Sequence, residues 1–110
     1  MSQIPQLTTE QFSRDVLLSS QPVVVDFFGT WCPPCRALAP ILETLAGAFI
    51  GQVKIVKVNV DEDPELAERY QIRTVPTLLY FSAGRLVDRT VGVLSLSVLR
   101  GKVSRLAKSA

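Results

Sequence analysis

The sequence predicts an α/β fold in which a parallel βαβ unit is joined to an antiparallel hairpin. Two apolar, β-branched runs, Val23 to Phe28 and Val53 to Val60, flank a stretch of helical periodicity. Two shorter strand-like runs then follow around a four-residue turn. With 110 residues, 47% of them hydrophobic, the chain has the material for one core, so a single domain over residues 1–110 is expected.

Ile4 to Leu7 reads as a short edge strand. Thr8 with Gln11 matches a capping box, and Phe12, Val16 and Leu17 recur at helical spacing, giving a first helix near residues 9 to 18. Ser19 to Pro22 form a turn, and Val23 to Phe28, apolar at both parities, is expected as a central strand covered on both faces. Leu38, Ile41, Leu42, Leu45, Ala46 and Phe49 mark the stripe of a long helix, with Pro40 a structural kink inside it. Val53 to Val60 is the second buried strand, parallel to the first. Asp63 as N-cap and Pro64 at N1 start a short helix through Tyr70. Thr77 to Phe81 and Leu86 to Val91 pair around Ser82-Ala83-Gly84-Arg85, and Ser95 caps a last helix whose Leu96, Leu99, Val103 and Leu106 face the sheet.

Composition narrows the function classes. A 20% charged content with a net charge of +2 is neither a disorder signature nor a nucleic-acid footprint, and there is no histidine to support a metal site. No apolar run is long enough to cross a bilayer, and the first residues lack the basic and apolar regions of an export signal, so a cytoplasmic protein is expected. Arg100, Lys102, Arg105 and Lys108 complement the dipole at the end of the last helix.

The chemistry concentrates in Trp31-Cys32-Pro33-Pro34-Cys35, where the first strand hands over to the long helix. A sulfur at a helix start faces unpaired N–H groups and the positive end of the dipole, both of which favour thiolate. Cys32 is therefore the expected nucleophile of a disulfide exchange, and Cys35, expected to be the more buried, resolves the mixed disulfide. Pro34 suits the first helical turn, and the dipeptide between the cysteines acts as a tuning element. Half of a zinc site is a poor alternative, because zinc takes four ligands and only two soft ones exist.

Asp26 lies inside an apolar run, where an unpaired charge is costly and desolvation raises a carboxyl pKa toward the range useful for exchanging protons with Cys35. Lys57 shares a face with Val53 and Ile55, so its ammonium is placed to approach Asp26 from the neighbouring strand. The residues alone admit a second reading, a partly solvated carboxylate and a snorkelling lysine without catalytic part.

From Leu7 to Leu106 the chain resembles the thioredoxin family, through Val25-Asp26-Phe27, Trp31-Cys32 with Pro34-Cys35, Ala39-Pro40, Asn59-Val60-Asp61, Thr74-Val75-Pro76-Thr77, Gly84 and Gly92. The resemblance implies a central mixed sheet with helices on both faces and reduction of protein disulfides through a reversible Cys32–Cys35 disulfide. No cofactor would be bound, electrons arriving from NADPH through thioredoxin reductase. Cys32, Cys35, Asp26 and Lys57 would be the catalytic residues, with Asp26, aided by Lys57, exchanging the proton of the resolving step. Val75 would precede a cis Pro76 beside the cysteines. Trp31, Pro33, Pro34, Thr74, Val75, Pro76, Val91, Gly92 and Val93 would form the substrate-binding surface, suited to extended protein segments. Partners would be the reductase and disulfide-containing proteins, met by a monomer.

Two residues depart from the family pattern: Pro33 stands where glycine is commonest, and Phe28 where tryptophan is usual. Pro33 leaves the reduction potential open. A thioredoxin-like clamp without redox turnover is the alternative function, and a disulfide-forming role fits less well, since no histidine lies between the cysteines.

Overall fold

The structure, a computed structural model, describes residues 4–109. Its elements in chain order are α1 (Thr9–Phe12), β1 (Val23–Phe28), α2 (Pro33–Ala48), β2 (Lys54–Asn59), α3 (Pro64–Arg69), β3 (Thr77–Ser82), β4 (Arg85–Val91) and α4 (Leu96–Lys108). The strands form one mixed sheet of order β2-β1-β3-β4, in which β1 pairs parallel with β2 and antiparallel with β3. β1 is the interior strand expected from its two-sided apolar character, and strand alternation sorts its residues onto the two faces. Val24 packs with Leu38, Leu42, Leu99 and Val103 under α2 and α4. Val23, Val25 and Phe27 pack with Phe12, Val16 and Leu66 under α1 and α3. Side chains buried to this degree contribute roughly 1.5–3 kcal/mol each relative to exposure. Asp26 has the parity of Val24 and so faces α2, opposite Lys57 in the β1–β2 register.

Several local expectations are met by specific bonds. Thr8 caps α1 through its side chain, and Gln11 bonds back to the Thr8 N–H at 3.0 Å. Ser95 accepts from the Val98 N–H at 3.2 Å. The β3–β4 turn is made by Ala83 and Gly84, with φ of 52° and 77°.

Others are corrected. The edge strand at Ile4 to Leu7 reduces to a single parallel bridge between Gln6 and Lys57, as Pro5 has no N–H to extend a ladder. The first helix changes at Ser13 into a π-helical turn, Ser13–Leu17, closed by the Leu18 N–H on the Ser13 carbonyl. This sets the Leu17 carbonyl against the hairpin turn, where a Cβ on Gly84 would lie 2.5 Å from its oxygen. Asp63 makes no side-chain cap to α3; its carboxylate accepts from the Thr9 N–H at 2.9 Å and from the Thr9 hydroxyl at 3.0 Å, tying the two helix starts together. Pro40, by contrast, lies inside α2 as expected, and the helix is continuous across it.

Candidate active site

β1 ends at Phe28, and Gly29, Thr30 and Trp31 carry the chain into α2. The crossing is tight: a Cβ on Gly29 would lie 2.8 Å from the Trp31 ring. The Trp31 indole N–H donates to Asp61 Oδ2 at 2.8 Å, and the Asp61 N–H donates to Oδ1 of buried Asn59, also at 2.8 Å. The indole is thereby fixed from the end of β2 while remaining 64% exposed. Arg36 closes the loop from the other side, donating to the Thr30 carbonyl at 2.9 Å.

Cys32 is the N-cap of α2, with extended backbone, and forms a disulfide with Cys35 across a Cα separation of 5.3 Å. Pro33 and Pro34 carry no N–H, so the first donor of the helix is the Cys35 amide, which points at Cys32 Sγ over 3.2 Å. In the reduced protein that bond and the helix dipole both favour negative charge on Cys32. The expected order of burial is not found. Cys32 is 2% exposed and Cys35 5%, because the loop before β3 lies over Cys32 and brings the Val75 carbonyl oxygen to 3.6 Å from its sulfur.

That loop contains a cis Val75–Pro76 bond, the isomer the family resemblance implied. The Pro76 carbonyl accepts from the Gly92 N–H at 2.9 Å, and Gly92 has φ 85°, a conformation that favours glycine. The loop is thus joined to Gly92 through the Pro76 carbonyl and approaches Cys32 through the Val75 carbonyl. Val91 and Val93 are 52% and 43% exposed, and Pro33, Pro34 and Thr74 are exposed as well. Pro76 is buried and presents little surface of its own. Between Trp31 and Thr74-Val75 runs an open cleft of about 330 Å³, lined also by Val60, Ile72 and Arg73.

A second cleft, about 260 Å³, lies on the α2 side of the sheet and brings Asp26, Phe28, Cys35, Arg36 and Lys57 together. Asp26 is only 6% exposed, and its Oδ1 is buried with no hydrogen-bond partner among the described residues. Desolvation pushes the Asp26 carboxyl up to about 7, against the opposing pull of Lys57. Lys57 is half-buried, as its stem was expected to be, but its ammonium makes no ion pair with Asp26; it sits over the Phe28 ring, 5.4 Å from the centroid. Phe28, Gly29 and Asp61 are therefore parts of the site that the sequence did not single out for a role. The signals available were the substituted aromatic at position 28 and the Asn59-Val60-Asp61 run.

Among the described residues no group of three or more histidine, cysteine, aspartate or glutamate side chains could hold a metal ion, and no helix is long and apolar enough to cross a membrane.

The family model described as thioredoxin matches residues 3–105. Over 99 residues the chain is 44% identical to thioredoxin 1 of Nostoc sp., covering 90% of this chain and 92% of the relative. It is 42% identical to the thioredoxin of Synechocystis sp. over 105 residues, with 96% and 98% covered. Thioredoxin 1 of Synechococcus elongatus is similar to the same extent, at 43% identity over 105 residues.

Two measurements follow from this geometry. Restoring an N–H at the helix start with Pro33→Gly is expected to lower the Cys32 thiol pKa by about half a unit, the size of a charge–dipole interaction at a helix N-terminus. Thiol alkylation rate against pH reads it, and no change or a rise would contradict the capping argument. For Asp26, the folded protein holds a proton that the unfolded chain loses at ordinary carboxylate pH. Stability conferred by the protonated carboxyl is present below that range and is lost as pH rises to about 7. Asp26→Asn, which cannot ionise, is thus expected to gain on the native protein by about 4 kcal/mol between pH 4 and pH 8. Urea unfolding at both pH values reads the gain, and a difference independent of pH would mean that the carboxyl is not desolvated.

Proposed function

The chain belongs to the thioredoxin family and is a dithiol–disulfide oxidoreductase, and from that premise we propose a directional mechanism for reducing protein disulfides. The Cys32 thiolate attacks one sulfur of a substrate disulfide. A bond forms between Cys32 Sγ and that sulfur, the substrate S–S bond breaks, and the released substrate thiolate takes a proton from solvent. Cys35 then gives its proton to the Asp26 carboxylate, and its thiolate attacks Cys32 Sγ. The internal disulfide forms, and the second substrate sulfur leaves with the bonding electrons and is protonated. Two electrons pass from the protein to the substrate.

The observation that carries this reading is the asymmetry of the two sulfurs. Cys32 Sγ receives the Cys35 amide at the helix start, whereas Cys35 shares a cleft with a carboxyl that titrates near neutral pH. Trp31, Pro33, Pro34, Thr74, Val75, Val91 and Val93 offer an apolar surface to an extended substrate segment, with Pro76 and Gly92 holding the loop behind it. Lys57 adjusts the charge of the Asp26 cleft. The oxidised form is recycled by thioredoxin reductase with NADPH, in the cytoplasm, by a monomer with no bound cofactor. The same reading leaves the clamp function without an observation in its favour.

The test is NADPH consumption in a mixture of the protein, thioredoxin reductase and a disulfide-containing protein. Turnover is expected with the native chain and is expected to vanish when both cysteines are replaced by serine. Failure of the reductase to reduce the native chain, or turnover surviving in the double variant, would contradict the proposal.

A further inference from the structure

Phe28 takes no part in the steps above, yet the cation of the Asp26 cleft sits over its ring. Lys57 stands at the register position of Asp26, and Phe28 follows two residues along β1 on the same face. The ammonium therefore has two acceptors within its reach, a carboxylate and an aromatic face. It lies over the ring, 5.4 Å from the centroid, and forms no ion pair with Asp26. Asp26 Oδ1 is left buried without a hydrogen-bond partner among the described residues.

The preference has a physical basis. Asp26 is buried, while Phe28 and Lys57 are half-buried. Moving the ammonium onto the carboxylate would strip it of water, whereas over the ring it keeps solvent on one side and gains the attraction of the π face. The other groups facing the carboxyl do not substitute for it. Arg36 of α2 is turned to the Thr30 carbonyl, Cys35 of α2 is held in the disulfide, and Leu78 is the β3 residue paired with Asp26.

We infer that Phe28 is a positioning residue: its ring holds the Lys57 ammonium off Asp26 and so leaves the carboxyl able to take up and release a proton beside Cys35. The inference rests on the reading of Asp26 as the proton acceptor of the resolving step. A carboxylate with a lysine ammonium brought within contact distance is held ionised and becomes a weaker base.

The experiment is the titration of the Asp26 carboxyl carbon by NMR in the oxidised protein, in Phe28→Leu, Phe28→Met and Phe28→Trp, each alone and with Lys57→Met. With Lys57 present, Phe28→Leu and Phe28→Met are expected to lower the Asp26 midpoint by about one unit, the low end of the effect of a nearby opposite charge. Phe28→Trp, which restores a π face, is expected to keep the native midpoint. With Lys57→Met, loss of the ring is expected to leave the midpoint where Lys57→Met alone puts it. An equal fall in both backgrounds would show that water entry rather than the cation is responsible, and would overturn the inference, as would no fall with Lys57 present. The titration needs no turnover. If Asp26→Asn left the pH profile of substrate release unchanged, the proton-acceptor reading would fail while the positioning of Lys57 stood on its own result.

Discussion

β1 is covered on both faces, and the chemistry at its carboxyl end depends on that burial. Because β2 and β3 flank it and helices cover both sides, a carboxyl at position 26 is out of water whatever its use. An isolated carboxylate there is too costly to keep fully ionised, so the group becomes a base and acid of nearly neutral strength. The same strand runs straight into the Gly29–Trp31 turn, which delivers the cysteines at the start of α2. The Asp26 carboxyl and the two cysteine sulfurs are therefore placed by one element and the turn that follows it.

The sulfurs are distinguished by donors rather than by exposure. Cys32 and Cys35 are both nearly inaccessible in the oxidised protein, so burial does not tell them apart. What differs is the Cys35 amide, the first N–H of a helix that begins with two prolines. The Val75 carbonyl adds a second constraint on Cys32, approaching the sulfur from the loop that also contacts the β4 end through Gly92. The exposed neighbours Trp31, Val91 and Val93 are apolar; the Trp31 indole is held by Asp61, and Val91 lies in β4 opposite Thr77.

Much of the fold could be read from local pattern, because its elements are consistent with their own residues. The β-branched runs gave β1 and β2, Thr8 with Gln11 gave the first cap, and the cysteine spacing at a strand-to-helix junction gave the redox pair. What was missed depends on contacts distant in sequence. The π-helical turn at Ser13–Leu17 meets Gly84 of the hairpin, Asp63 bonds to Thr9 rather than to its own helix, and Trp31 is held by Asp61. Strand register places Lys57 opposite Asp26 in the same cleft, but register does not say which acceptor a long side chain chooses, and the ammonium lies over Phe28. The cis bond before Pro76 followed from the resemblance alone, since the residues around it do not specify the isomer.

Trapping the mixed disulfide shows which of the two sulfurs attacks. Cys35→Ser and Cys32→Ser, each incubated with a disulfide-containing protein, are compared by intact mass. A stable adduct through Cys32 is expected in Cys35→Ser and little or none in Cys32→Ser. Equal or greater trapping through Cys35 would contradict this order of attack.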